Sequence, residues 1–378
     1  MKNFIILIKN KNGIRMKIIL NAAIIGLLLI TAFDCNDNVV NPQEQPGRRD
    51  YTWELDTLNM PMNYLGAVWG ATPTDVWAVG AGGTSFDRLQ HYDGKKWSAY
   101  TKEPVNCGGN TIFGFSENTV WMGGRDELSN GAAIWHYDGN SWSRNYIYHA
   151  KGEYINEVTD IWGLAPNNIF ACGYIVEKSD STYGFILRYD GNVWKEVIRV
   201  NYNSQFLVIK GEISGNSLIN ISSSKVYVYE YRPSKISSAL DTLAFDELSG
   251  NRFKKIFANS VGEIKWANFN IIDNKLYFLI DKDVYIYLNG SFIRQFTLNI
   301  NDSNFNHYIF GRSEKDMFLG MKDGLAHYNG EDIKYIFNFP QNTLNGIGGT
   351  EVMFEKEIFY GLVNFSNTKN IILHGTLK

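Results

Sequence analysis

The sequence predicts an all-β fold, a seven-bladed β-propeller whose last blade is closed by an N-terminal strand, with six or eight blades as the alternatives. Three observations predict it. First, one phrase recurs: aromatic-Gly, a short polar turn, an apolar-aromatic strand, then Tyr-Asp-Gly-x-x-Trp. It reads VWGATPTDVWAVG then HYDGKKW, IFGFSENTVWMGG then HYDGNSW, and IWGLAPNNIFACG then RYDGNVW. A strand-built repeat of this length means one sheet repeated about an axis. Second, the aromatic before the first Gly and the aromatic of the next strand stand eight residues apart each time: Trp69 and Trp77, Phe113 and Trp121, Trp162 and Phe170, Phe310 and Phe318. Third, a strand-like YTWELDTL precedes the first repeat, while the last unit, from Leu344, stops after three strands at NIILHGTLK. An open ring would expose a sheet edge, and joining the two ends closes it.

In the first unit Leu65–Gly70 is an apolar strand, and Ala-Thr-Pro-Thr-Asp is turn chemistry. Val76–Val79 is β-branched and aromatic, so it continues as a second strand. The third strand ends at Tyr92, Asp93-Gly94 reads as a two-residue hairpin turn with positive φ at both residues, and Lys95–Tyr100 is the fourth strand. That turn places Tyr92 diagonally to Trp97 on one face. Asp138-Gly139 with Trp142, and Asp190-Gly191 with Trp194, repeat the arrangement; Asn289-Gly290 and Asn329-Gly330 keep the turn with Asn. Packing between neighbouring sheets explains these rings better than an aromatic ligand cage. The clear units are 65–100, 111–146, 158–197 and 307–337; a further one spans 266–296. The unit at 205–257 is degenerate and carries an insertion from Arg232 to Gly250.

The chain divides as a signal segment over 1–34, a flexible tether over 35–50 and the propeller over 51–378. Lys9, Lys11, Arg15 and Lys17 precede an apolar run from Ile18 to Phe33, too short for a comfortable membrane span and suited to a secretory signal. Met16 then serves equally well as the start. The 378 residues carry 36 basic against 39 acidic groups, with no basic stripe, which argues against nucleic acid as a partner. Cys107 and Cys172 fall in different repeats; Cys172 takes the place of Val79 in the first repeat and reads as a small strand filler, with a disulfide between the two the lesser reading.

Cys35 resembles the lipidated first residue of a bacterial lipoprotein, although Asp34 stands where that signal has a small residue. The repeat itself resembles the propeller repeats of bacterial secreted and surface proteins, of tectonin type and two-component-regulator type; MFLGMKDGLAHYNG is nearest the second. The resemblance implies an exported protein, held at a membrane by a lipid anchor, that binds a ligand on one face of the disc. It transfers no catalytic residue.

No reacting constellation is legible, and no metal or cofactor is expected. His91, His136 and His327 share a repeat position that Arg188 fills in the third unit, so repeat geometry accounts for them. His149, His307 and His374 lack metal-ligand spacing. Asp75, Asn168 and Asp316 precede second strands and cap turns. Arg125, Arg188 and Arg312 form no carboxylate-gripping motif, and Asp126, Glu127 and Asp160 are carboxylates only by position for a glycosidase. The expectation is a monomeric, non-enzymatic binding module for a protein or glycan, its recognition on the variable connections GGTSFDR, RDELSNG and YIVEKSDSTYG. A propeller-fold carbohydrate hydrolase or lyase is the alternative.

Overall fold

The computed structural model describes residues 3–9, 15–21, 46–60, 63–82, 87–149, 153–177, 182–201, 206–211, 218–222, 227–232, 246–248, 251–257, 267–288, 291–301, 303–340, 348–364 and 369–378. Every regular element among them is a strand. The chain separates into two units, Met1–Gln45 and Pro46–Lys378. In the first, Asn3–Lys9 and Arg15–Asn21 pair as an antiparallel hairpin. Cys35 lies outside the described residues.

The second unit is an all-β propeller. Blade 1 is Asn63–Thr72, Asp75–Gly82, Leu89–Tyr92 and Trp97–Ala99; blade 2 is Cys107–Ser116, Thr119–Asp126, Ala132–Tyr137 and Trp142–Tyr148; blade 3 is Glu153–Ala165, Asn168–Glu177, Thr182–Tyr189 and Trp194–Asn201. Blade 4 is Ala267–Ile272, Lys275–Ile280, Asp283–Leu288 and Ser291–Thr297, and blade 5 is Phe305–Ser313, Asp316–Met321, Gly324–Tyr328 and Ile333–Asn338. The closing blade joins Gly348–Met353, Glu357–Asn364 and Lys369–Leu377 to Tyr51–Leu58. All are antiparallel meanders whose first strands lie innermost, against one another.

The expected count of seven blades is corrected to six four-stranded blades. The degenerate unit between blades 3 and 4 is instead a five-stranded sheet, ordered Phe206–Gly211, Leu218–Ser222, Tyr227–Arg232, Asn251–Phe257, Asp246–Leu248, with its first strand against blade 3. The physical cause is the missing Asp-Gly turn. Without it the connection after Arg232 is long, and part of it pairs back on the edge as an extra strand.

The turn geometry is corrected as well. Tyr92 stands directly opposite Trp97, as do Tyr137 and Trp142, Tyr189 and Trp194, Tyr328 and Ile333. The loops are therefore four residues long. Asp93 Oδ1 accepts the Lys95 and Lys96 N–H groups at 2.9 and 3.0 Å, and only Gly94 takes positive φ, at 88°. Asp138, Asp190 and Asn329 do the same, with Gly139, Gly191 and Gly330 at positive φ. The side-chain acceptor substitutes for a backbone turn bond, which makes the longer loop as tight as the short one. A two-residue turn with both φ positive occurs elsewhere, at Asp273-Asn274. Asn289 and Gly290 lie outside the described residues.

These turns predict an acid response. Two backbone N–H donors hold the Asp190 carboxyl down to about 2, with Lys195 assisting, and the Asp93 and Asp138 carboxyls are lowered by the same donors. A carboxyl lowered in the folded state stabilises above its unfolded value, and that contribution vanishes as pH falls through the folded value. Replacing Asp93, Asp138 and Asp190 by Asn, the residue blade 5 already uses, is expected to flatten the fall in urea midpoint between about pH 4 and pH 2. An unchanged acid limb would show that the turns do not carry it.

Each Tyr–Trp pair packs on the second-strand aromatic of the preceding blade. Tyr137 and Trp142 meet Trp77 at 5.2 and 5.6 Å between centroids, and Tyr189 and Trp194 meet Trp121 at 5.0 and 5.6 Å. Tyr92 and Trp97 meet Phe359 of the closing blade at 5.4 and 6.3 Å. The eight-residue spacing resolves into direct cross-strand pairs: Trp69 with Trp77, Phe113 with Trp121, Trp162 with Phe170, Phe310 with Phe318.

In five of the six blades a base on the third strand covers the second-strand aromatic; in blade 4 Ile286 stands opposite Tyr277 instead. His91 lies on Trp77 and bonds Asp75, His327 lies on Phe318 and bonds Asp316, and Arg188 lies over Phe170 and donates to Asn168. His374, unassigned in the sequence, lies on Phe359 and bonds Glu357, so it belongs to the same set. Blade 2 lacks the acid. Thr119 occupies that place, His136 Nε2 is buried without a partner, and burial lowers the His136 pKa. Thr119→Asp is therefore expected to raise the His136 pKa in an NMR titration and to add about 1 kcal/mol of stability below the ordinary His value. The sign follows from linkage: a raised folded value stabilises at low pH and fades as pH rises through it. A pKa that stays low would rule out the pairing.

Pro46–Asp50 belongs to the propeller unit. Gly47 N–H donates to Lys315 O at 2.7 Å, and Arg49 donates to His327 Nδ1 and O and pairs with Asp332. The chain thus enters the disc along the turn side of blade 5. Cys107 and Cys172 are both buried, in different blades, and are not joined as a disulfide.

Candidate functional site: the central channel and its mouth

The inner strands are broken by bulges. One residue, Gly66, Asn110, Thr159 or Gly349, is skipped in the pairing of blades 1, 2, 3 and the closing blade, and two, Asn306 and His307, in blade 5. A bulge bends its strand and re-aims the side chains beside it. The crowding explains a glycine of the repeat: a Cβ at Gly124 would lie 1.8 Å from the Gly108 carbonyl oxygen, across the Asn110 bulge. Past the bulges, the inner strands enclose a channel of about 330 Å³.

Hydrogen bonds run from blade to blade around it. Asn110 Nδ2 donates to Val158 O at 3.1 Å, and Thr111 Oγ1 donates to Asp160 Oδ1 at 3.0 Å. Asn270 Nδ2 donates to Glu351 Oε1 at 2.8 Å, Tyr308 OH donates to Glu351 Oε2, and Val68 N–H donates to Thr350 Oγ1 at 2.6 Å. Each side chain therefore ties its own blade to another and is held in one orientation. Burial first, then Glu351, pushes the Tyr308 phenol well above its ordinary pKa, so it stays a protonated donor.

At the end carrying the connections between second and third strands, Tyr64 OH donates to Asn110 Oδ1 at 3.0 Å. Tyr174 OH donates to Glu157 Oε2 at 2.9 Å, and Arg125 lies 3.7 Å from Glu157. Tyr64 is 47% and Leu128 74% exposed, both large for apolar surface. The connection holding Leu128 is knotted from inside: the fully buried Asp126 accepts Ser129 N–H at 2.8 Å and Ser129 OH at 2.6 Å. Arg88 pairs with Glu127 beside it. Parts of the other two variable connections, 83–86 and 178–181, lie outside the described residues.

The structure separates the carboxylates weighed for a glycosidase. Asp160 faces the channel, Asp126 is a buried loop knot and Glu127 is an ion-pair partner. The three arginines also stand apart: Arg125 at the mouth, Arg188 over Phe170, and Arg312 bonded to Tyr51 and Asp316. His307 sits in the blade 5 bulge at φ 55°. Among the described residues no group of three or more His, Cys, Asp or Glu is placed to hold a metal. Sequence reasoning missed Asn110, Asn270, Tyr308 and Glu351. The available signal was a polar residue two before the aromatic of an apolar inner strand, as Thr111, Asp160 and Tyr308 are.

No protein-family model matches the chain, and no curated protein sequence is significantly similar. Solved structures are similar in fold. One described as YCF48 bound to D1 peptide aligns at TM-score 0.55 with 14% identity, over 89% of this chain and 100% of that one. The RRP9 WD40 repeats align at 0.56 with 10% identity, over 89% and 99%. A domain described as the extracellular part of a hybrid two-component system from B. thetaiotaomicron aligns at 0.52 with 13% identity, over 87% and 39%. These likenesses establish a β-propeller and nothing finer.

Proposed function

We propose that this chain is an exported, envelope-held propeller that binds a segment of another protein across the mouth of the channel, without a reaction of its own. The observation that carries the reading is the pairing of exposed Tyr64 and Leu128 with a mouth whose polar groups are already fixed by Asn110, Glu157 and Asp126. A pre-ordered surface costs little entropy on binding, and exposed apolar groups beside it supply the burial. The peptide complex among its structural neighbours and the extracellular setting of another lend support. In this reading residues 1–34 direct export, Cys35 carries the lipid and the chain up to Asp50 leads to the disc.

Selection of a displayed peptide library on the purified chain, run beside a glycan array and chromogenic glycosides, tests the proposal. Peptides are expected, with binding lost in Tyr64→Ala and Leu128→Asp. Glycoside turnover removed by a single carboxylate change would replace binding by catalysis. Radiolabelled palmitate incorporation that persists in Cys35→Ala would remove the anchor.

A further inference from the structure

We propose that acid releases the strap by which the chain enters the disc: a second proton on His327 and the docked guanidinium of Arg49 exclude each other. Hydrogen-bond chemistry fixes the charge of the ring while the strap is docked. His327 Nε2 stands 2.7 Å from Asp316 Oδ1, and a carboxylate only accepts, so Nε2 carries a proton. Arg49 Nε donates to His327 Nδ1 at 3.1 Å, and a guanidinium only donates, so Nδ1 carries none. The docked ring is therefore neutral, in one tautomer, with both nitrogens engaged.

The fit leaves no room for a second proton. The His327 side chain is fully buried, whereas His91, at the same position of blade 1 beside its own carboxylate, is 33% exposed. The strap makes the difference. A Cβ on Gly47 would lie 2.8 Å from His327 Cε1 and 2.6 Å from Asp316 Oδ1, so the strap backbone rests on the pair itself. Charged groups surround the ring from every side. Asp316 faces it from the second strand, with Arg312 of the first strand on the other carboxylate oxygen. Asp332 and Lys334, on the turn and fourth strand, pair with each other, and Asp332 also pairs with Arg49. Tyr51 of the closing blade accepts from Arg312, and the Lys315 carbonyl takes the Gly47 N–H.

Asp316 favours a charged imidazolium, while Arg49 and Arg312 oppose it. Arg49 decides, because its N–H points at the nitrogen the proton must take. A proton there sets two donors and two positive charges against each other in a site closed to solvent. Pro46–Asp50 belongs to no strand, so Arg49 can leave without breaking a blade. Asp50 O accepts the Lys378 N–H at 3.1 Å, so release stops at the closing strand. Undocking takes up a proton, so falling pH drives it; docking in turn keeps the ring neutral. Each residue freed adds about 3.5 Å of reach to the chain ahead of the disc. This holds whatever the channel mouth binds.

Hydrogen exchange of the Gly47 amide, taken as protection against its pH-corrected free rate, tests the proposal beside nitrogen-15 spectra of the histidine-labelled full chain. Protection is expected to fall about 10-fold or more between about pH 7.5 and pH 5.5, with the same midpoint as the second protonation of the His327 ring. A carboxamide both donates and accepts, so in Arg49→Gln it can face either state of the ring, and the pH dependence of protection is expected to shrink below about 2-fold. Protection that stays constant while the ring gains its second proton overturns the proposal, as does an equal fall in the parent and Arg49→Gln. If Gly47 in Arg49→Gln is unprotected at every pH, Arg49 alone docks the strap, and the coincidence of the two midpoints in the parent decides.

Discussion

Deleting Tyr51–Leu58 is expected to unfold the propeller rather than trim it. This strand pairs along its whole length with the last strand, from Tyr51 opposite Leu377 to Leu58 opposite Asn370. It also reaches sideways in both directions. Tyr51 packs on Phe318 and accepts a hydrogen bond from Arg312 in blade 5, while Asp56 accepts the Trp97 indole N–H of blade 1 at 3.2 Å. Tyr51 and Leu58 are both buried, and each such burial is worth about 2 kcal/mol or more. Adding a bared sheet edge and the lost cross-links brings the expected cost to about 5 kcal/mol or more, the scale of a whole domain's stability. Circular dichroism during urea unfolding checks this. A truncated chain melting with the parent would mean that the ring does not depend on its closing strand.

Trp121→Ala is expected to cost about 3–5 kcal/mol, the range for emptying a buried aromatic site. Trp121 is 2% exposed and forms a junction of two blades. It carries His136 on one side at 4.2 Å and meets Tyr189 and Trp194 of blade 3 on the other. Removing it empties a cavity that neither sheet can refill without moving against its neighbour. Leu128→Ala, on the exposed connection of the same blade, is the control and should stay within about 0.5 kcal/mol of the parent. Equal urea midpoints for the two variants would show that the ring does not hold the blades together.

The repeat was legible because its punctuation is local. Gly94, Gly139, Gly191 and Gly330 answer a backbone demand for positive φ, and the rings spaced by eight answer a fixed hairpin between two inner strands. Loop length was not legible, since Asp-Gly serves a two-residue turn as readily as a four-residue one; the Asp93 carboxylate chooses by bonding to Lys95 and Lys96. The blade count failed where punctuation was missing, between Phe206 and Phe257, and there the chain built an extra strand. The channel stayed hidden for a different reason. Ala67, Thr111, Asp160, Tyr308 and Thr350 occupy one register position in their respective blades, but their chemistry differs, so comparing repeats cancels the signal.

By itself, then, the amino-acid order determined that this protein is made of strands in repeated hairpins and that the strand Tyr51–Leu58 completes its last sheet. Alternation, turn residues and ring spacing act over a few residues, and those interactions survive being read one at a time. Only the assembled ring decided which side chains meet. Asp160 and Glu351 are far apart along the chain, and they share a cavity because separate blades, each bent by a bulge, bring their inner edges to one axis. A polar residue within one strand carries no mark of the neighbour it will face, and that neighbour sets its charge environment, its orientation and its use.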